Sequence, residues 1–443
     1  MTSSKSKLIL AFAALALGGC AHSSTHQSKA DSAEKATLQV YTLTEAPVIG
    51  QRKNGQPIKL GGFSGLVFEK VTPTEQGEKY QFLTHTDRGP NDASTTVGKV
   101  AKGTVIFPLP EFQPAWIRVV ADPRTHALEV LEQVPLRKKD GGKVTGLPNK
   151  VAKSGGSGTD ENPVNAEGKS LRPDPYGLDT ESLVIAADGS VWMGEEYRPS
   201  IIHFSRDGRM IDRFVPQNSG GKKKGAFGVE ALPEIYSSRR LNRGFEALAM
   251  KEGRLYAFPQ SPLEPAASDA NQARTKSRAV RVLQFDPQTQ KATGEFVYLL
   301  DEQGDDRKLG DAIALPDGDF LVLEQTSDPS PNADKKLYRV SFDRATNLLA
   351  KNDSKRPVET LTAQEMQAAG VEAAQKTLVV DLVHMPGLEH YVFKGKLEGL
   401  AVIDPDTIAV VNDNDFGMFS DEKSELLLIR KKDLLKPPAS SAP

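Results

Sequence analysis

The sequence predicts an all-β fold: a β-propeller of five to six four-stranded blades, with one short inserted helix near residues 361–374. Three observations carry this expectation. An acidic or polar residue, an apolar strand, a tight turn and a second apolar strand recur in that order along the chain. The recurrence has a period, because Glu181, Glu246 and Asp311 follow one another at intervals of 65 residues. Glycine (37) and proline (29) are abundant, which favours turns and short strands over long helices. A single four-stranded unit cannot bury both faces, so such units must stack around an axis. A pair of β-sandwiches is the architectural alternative.

The 443 residues divide into four segments. Residues 1–20 read as a leader: Lys5 and Lys7 precede the apolar run Leu8 to Leu17, which ends in Gly18-Gly19-Cys20. The run is too short to span a bilayer. Leu17-Gly18-Gly19-Cys20 resembles a bacterial lipoprotein box. That resemblance implies a lipid on Cys20 as the first mature residue, with Ala21 after it favouring the outer membrane if the cell is Gram-negative. The plain alternative is a secretory leader with an incidental cysteine. Cys20 is the single cysteine, so a disulfide framework, a thiolate metal site and a cysteine nucleophile are excluded. Residues 21–35 are small and polar and read as a tether, with His22 and His26 solvated in it. The propeller is expected over 36–430 and a frayed tail over 431–443. The net charge of -2 gives no basic field for nucleic acid.

The units restart at Ser64, Glu181, Glu246, Asp311 and Glu398. The last lacks an obvious fourth strand, which Ala36 to Leu43 could supply, closing the ring between the termini. A sixth unit could lie within 90–176. Residues 137–177 lack periodicity and read as a long functional or disordered loop. Leu361, Met366 and Val371 mark the helix.

The first strand of a propeller unit lies nearest the axis, and the second returns to the same mouth of the channel. Glu181 with Glu195 and Glu196, Asp311 with Glu324, and Glu398 with Asn412 and Asp413 should therefore converge there. Asp87 ends the second strand of the first unit and should join them. So many carboxylates cannot all stay ionised in one small space without compensation. A hard cation with oxygen ligands provides it, with Ca²⁺ the candidate and another divalent metal the alternative. Asp87, Glu181, Glu246, Asp311, Glu324, Glu398 and Asp415 are the candidate ligands. Glu195, Glu196, Asp413 and His85 are the candidate acid–base groups. Arg88, Arg198 and Arg243 sit at strand ends on the same side and could hold an anion bidentately. Each opening acid could instead brace the ring through backbone N–H groups, and each arginine could simply neutralise a carboxylate. His203 lies mid-strand and reads as a packed core residue. A Ser64–His85–Asp87 triad is disfavoured, because no G-x-S-x-G elbow is present. Walker and Rossmann motifs are also absent.

Asn242-Arg243-Gly244-Phe245-Glu246-Ala247, Gly194-Glu195-Glu196-Tyr197-Arg198-Pro199, and Leu397-Glu398-Gly399-Leu400 with Asn412-Asp413-Asn414-Asp415-Phe416-Gly417 resemble the bacterial phytase-like family, labelled "esterase-like activity of phytase". The resemblance covers about residues 57–430. It implies a β-propeller with Glu and Asp residues suspected of phosphodiesterase or phosphatase chemistry. One departure stands out. Members often show Glu-Arg-Asp after the second strand of the penultimate unit, where this chain has Glu324-Gln325-Thr326-Ser327-Asp328 and so supplies no arginine. The Asp-rich loops of alkaline propeller phytases are missing too. The expectation is an envelope-anchored, metal-assisted hydrolase of small phosphoesters, a monomer that meets the membrane only through Cys20. A non-catalytic binding or scaffold propeller and a propeller lactonase or carboxylesterase remain open alternatives.

Overall fold

The computed structural model describes residues 35–93, 104–149, 160–220, 223–265, 277–301, 307–326, 330, 333–351, 356–393 and 395–437. The leader, Cys20, His22 and His26 lie outside them. The chain opens with β1 (Thr37–Thr42) and a small hairpin of β2 (Val48–Gln51) and β3 (Pro57–Lys59). The first unit comprises β4 (Phe63–Thr74), β5 (Gly77–Thr86), β8 (Ala115–Asp122) and β9 (Ala127–Pro135). Between and after them, β6 (Asp92–Ala93), β7 (Thr104–Ile106) and β10 (Asn162–Val164) form a three-stranded sheet. That sheet occupies the stretch where a sixth four-stranded unit was an option.

The second unit holds β11 (Thr180–Ile185), β12 (Val191–Glu195), β13 (Ser200–Phe204) and β14 (Met210–Pro216), with β15 (Val229–Leu232) added in parallel at its edge. The third holds β16 (Phe245–Lys251), β17 (Arg254–Pro259), β18 (Ala279–Asp286) and β19 (Lys291–Leu299). The fourth holds β20 (Arg307–Ala314), β21 (Phe320–Thr326), β22 (Lys335–Ser341) and β23 (Gln375–Asp381). The inserted helix precedes β23: α1 (Ala363–Ala368) starts at Thr362, whose side chain caps the Glu365 N–H while Glu365 caps Thr362 in return. The fifth unit holds β24 (Lys396–Asp404), β25 (Thr407–Asp413) and β26 (Glu425–Arg430). Its fourth strand is β1, antiparallel to β26 from Thr37↔Arg430 to Thr42↔Glu425. The ring thus closes between the two ends of the described chain. The first strands touch in the order β4, β11, β16, β20, β24 and back to β4.

Apolar clusters fill the spaces between successive units. β25 shows why the strands read as continuous apolar runs. Ile408 and Val410 pack with Leu321, Leu323 and Leu337 of the fourth unit. Ala409 and Val411, on the other face, pack with Phe63, Leu66 and Phe82 of the first. Period-two alternation here chooses between two neighbours, not between core and water. Between the third and fourth units, Tyr256, Phe258, Phe320 and Phe342 form a ring cluster, with Tyr256 and Phe320 centroids 4.7 Å apart. Burying one such side chain stabilises the fold by roughly 1.5–3 kcal/mol. His203 lies flat on Trp192, centroids 4.0 Å apart, as a packed histidine would.

Candidate functional site

The site is built by one backbone irregularity repeated five times. In each unit the pairing of the first two strands skips one residue of the inner strand. The skipped residues are Gly65, Glu181, Glu246, Gly310 and Glu398. Such a bulge redirects a side chain out of the sheet. Three of the five skipped positions carry a glutamate. The residue paired just before the bulge is His85, Glu195, Pro259, Glu324 or Asn412. The one after it on the second strand is Thr86, Glu196, Gln260, Gln325 or Asp413. Alternation sends these two sets to opposite sides of the strand.

A cavity of about 840 Å³ opens at this end of the ring, and Asp87, Arg88, Glu181, Glu196, Arg243, Glu398, Asp413 and Asp415 all line it. The structure therefore brings together eight of the residues singled out from sequence. On one wall Asp179, Glu181 and Glu196 each offer a carboxylate oxygen, all within 4.8 Å of one another, and all three residues are buried. Burial pushes the Glu181 and Glu196 carboxyls well above their ordinary range, and Asp179 beside each adds to the effect. Glu196 Oε1 is buried without a hydrogen-bond partner. Arg88 closes the group, with Nη1 2.9 Å from Asp179 Oδ2 and Nη2 3.7 Å from Glu161. Its Nε is buried without a hydrogen-bond partner. Gly244, from the Arg243-Gly244-Phe245 stretch, lets this wall form: a Cβ there would sit 2.3 Å from the Glu196 carbonyl oxygen.

The opposite wall is already neutralised. Lys396 Nζ lies 2.6 Å from Asp413 Oδ2 and 3.1 Å from Asp415 Oδ1. Lys308 Nζ lies 3.2 Å from Glu398 Oε1, while Ser64 Oγ donates to Glu398 Oε2 at 3.3 Å. Asp87 faces Asp413; burial, then that neighbour, pushes its carboxyl well up.

Several candidates from sequence do not join the cavity. Glu195 is fully buried and accepts from the Tyr197 and Arg198 N–H groups, the Ser200 hydroxyl and Arg213 Nη2, the last at 2.8 Å. It braces the turn after β12. Glu324 does the same, accepting from the Tyr298 hydroxyl at 2.7 Å, the Asp301 N–H at 2.8 Å and Lys376 Nζ at 2.6 Å. Asp311 sits one residue past the bulge, so it is not the counterpart of Glu181. Its two oxygens accept from the Ala312 N–H and, across the unit boundary, from the Leu400 N–H, both at 2.8 Å. Glu246 accepts from Gln260 Nε2 at 2.6 Å, and burial pushes its carboxyl up to about 8. Arg198 turns aside and stacks 3.7 Å from the Phe227 ring; burial, then Arg213, brings its guanidinium down to about 9. His85 is fully buried, its Nδ1 3.2 Å from the Thr86 carbonyl oxygen and its Nε2 unpartnered. Burial brings the imidazole down to about 4, so it is neutral at pH 7. Ser64 bonds to Glu398 and not to His85, which removes the serine triad.

Sequence reasoning passed over Asp179, Lys308, Lys396 and Arg213. Asp179 ends the aperiodic loop, and only its place two residues before Glu181 marks it. The three cations sit inside strands, where a lysine or arginine reads as a solvated face. The same loop brings Asp160 to within 2.7 Å of Arg239 and Glu161 to within 2.9 Å of the Tyr197 hydroxyl, clamping the triad wall from outside.

Comparison with known proteins agrees with this architecture at the level of family. The model of the phytase-like family, described as esterase-like activity of phytase, matches residues 58–416. An uncharacterized secreted protein of Arthroderma benhamiae is 31% identical over 208 residues, which is 40% of this chain and 39% of that protein. The match thus spans about two-fifths of the relative's length. Solved structures that align include the PQQ-bound aldose sugar dehydrogenase of Streptomyces coelicolor, 11% identical over 90% of this chain and 100% of that one, with a TM-score of 0.31. Virginiamycin B lyase of Staphylococcus aureus aligns over 89% of this chain and 99% of its own, at 10% identity and a TM-score of 0.29. At such scores neither bears on the chemistry of this chain.

Proposed function

This chain belongs to the phytase-like family, and on that premise we propose that it is a metal-assisted hydrolase of small anionic esters, phosphoesters in particular. The observation that carries the reading is the buried triad of Asp179, Glu181 and Glu196 with its unpartnered Glu196 oxygen. Arg88 offsets the Asp179 carboxylate, and the other two, with oxygens within 4.8 Å of it and of each other, need either protons or a further cation. An all-oxygen donor set suits a hard divalent ion, and Ca²⁺ is the one we propose. When bound, such an ion would polarise an ester oxygen and activate water.

The remaining roles belong to the chain's own side chains. Arg88 and Arg243 line the same cavity and would hold the anionic group of the substrate against the triad wall. Asp413 faces the cavity with Lys396 Nζ at 2.6 Å, a pair suited to passing a proton. Glu195 and Glu324 act only by holding their turns in place. A volume of about 840 Å³ suits a small ligand. The esterase-like description of the family keeps carboxylesters among the substrates to be tried.

We also place the protein at the cell envelope, held by lipid on Cys20. The secreted relative supports export, and no helix among the described residues is long and apolar enough to cross a membrane. Labelled palmitate should enter the chain and be lost in Cys20→Ser. An unlabelled wild-type chain would remove the anchor.

The activity is tested on protein lacking residues 1–20, with phosphomonoester, phosphodiester and carboxylester substrates. Phosphoester turnover that stops in chelator and returns with Ca²⁺ is expected. No turnover on any of the three, with a melting temperature unchanged by chelator, would refute the enzyme reading and favour a binding propeller.

A further inference from the structure

Two features of the cavity mouth are not used by the charged chemistry inside it. Leu241 and Phe419 line the same cavity as the acids and arginines, yet they are 41% and 54% exposed. Both stand on loops whose preceding residues are pinned.

The Phe419 loop is the clearer case. Asp415, Phe416 and Gly417 are consecutive left-handed residues, with φ of 46°, 54° and 66°. That backbone is unfavourable for the two non-glycine residues, so the surroundings must impose it. Arg52 donates to the carbonyls of Gly417 and Met418. Asn414 Oδ1 accepts from the Gly62 N–H at 3.0 Å. Phe416 and Met418 are sunk in an apolar cluster with Ile58, and Phe416 meets Phe112 edge-on at 5.4 Å. The loop buries two of its three large apolar side chains and leaves the third outside, at the mouth.

The Leu241 loop repeats the arrangement. Asn242 is left-handed with φ of 53°, and its N–H donates to Asp160 Oδ1 at 2.8 Å. Arg239 is buried, ion-paired to Asp160 and bonded to the Tyr197 carbonyl. Again the flanking residues are fixed and one apolar side chain is held in water. Holding an apolar side chain exposed on a rigid loop forgoes burial energy, and a ligand that covers it recovers that energy.

We propose that Leu241 and Phe419 form an apolar lip that takes the non-polar alcohol part of an anionic ester, whose charged head lies below against Arg88 and Arg243. The substrate class is thereby narrowed to aryl or alkyl esters, with polyanionic sugars or inositols disfavoured at the mouth. This rests on the anion-binding reading of the cavity given above.

The test uses phenylphosphonate and methylphosphonate, which carry the same head group and are not hydrolysed, so binding is read without turnover. Calorimetric titration of the full chain should give about tenfold tighter binding of phenylphosphonate. Phe419→Ala and Leu241→Ala should each erode that preference and leave methylphosphonate affinity unchanged. Equal affinities in the wild type overturn the lip. So does a loss of both ligands together in the two variants, which would mark the residues as structural. If the wild type binds neither phosphonate, the anion site itself is overturned, and the lip with it.

Discussion

Glu196 and Asp413 hold the same position in two units, directly after the residue that pairs before the bulge, yet their surroundings differ in kind. Asp413 meets a built-in cation, Lys396 Nζ at 2.6 Å. Glu196 meets two more carboxylates and keeps one oxygen without a partner. On one wall Lys396 pairs with Asp413 and Asp415; on the other Arg88 pairs with Asp179 while Glu196 Oε1 keeps no hydrogen-bond partner. The acidic cluster thus divides into a lysine-paired wall and a carboxylate-rich wall, and it is the second that we propose for a metal ion. The neighbouring Glu195 sharpens the point, since it differs from Glu196 by one residue and serves only as a brace.

The largest expected effect separates Glu195 from Glu196. Glu195→Ala leaves Arg213 buried without its carboxylate and should cost roughly 3–5 kcal/mol in chemical denaturation. Glu196→Gln should change the stability of the metal-free protein by less than about 1 kcal/mol, because it removes a repelled charge. The reverse ranking would exchange the roles of the two.

His85 occupies in the first unit the place Glu195 takes in the second, and it braces as a neutral imidazole. Its folded value of about 4 lies below the ordinary 6.5, so between those values the unfolded chain binds more protons. Stability should therefore be complete above about pH 6.5 and fall as the pH drops toward 4, by roughly 3 kcal/mol in total. Denaturation midpoints across that range check this, and His85→Gln should flatten the dependence. An unchanged slope in the variant would assign it to other groups.

A smaller effect is expected at Gly244. A Cβ there must displace the Glu196 carbonyl, so Gly244→Ala should cost about 1–3 kcal/mol and weaken metal binding at the same time. Loss of stability with intact metal affinity would detach Gly244 from the site. The last change challenges the two-wall comparison from the other side. Lys396→Met should raise the number of bound Ca²⁺ ions from one to two, because Asp413 and Asp415 lose their resident cation. A stoichiometry that stays at one would mean that Asp413 and Asp415 lack the geometry for a cation.

The propeller was legible because its physics is repetitive. Each unit must bury two faces, so each writes the same apolar runs and turns, and even the closing strand at Thr37–Thr42 could be read from the gap after β26. The site was legible in part. Glu181, Glu196, Glu398, Asp87 and Asp413 were placed at the correct mouth by strand direction alone. What strand direction could not show was the one-residue bulge. It turns Glu181 into the cavity, yet it leaves Asp311, aligned with Glu181 by eye, bonded to the backbone of the next unit. Nor could side-chain pairing between strands be read, within a unit for Lys396 and Arg213 or across units for Lys308, so all three passed as ordinary strand residues. Asp179 was hidden for another reason: it closes a loop with no period, where residue identity carries no positional information.

We propose that the triad wall, and not the lysine wall, holds a divalent cation. Calorimetric titration of Ca²⁺ into the metal-free full chain tests it most directly, with Glu196→Gln and Asp413→Asn compared side by side. One site per chain in the wild type, lost in Glu196→Gln and retained in Asp413→Asn, is the predicted result. Binding that survives Glu196→Gln, or disappears in Asp413→Asn, would contradict it.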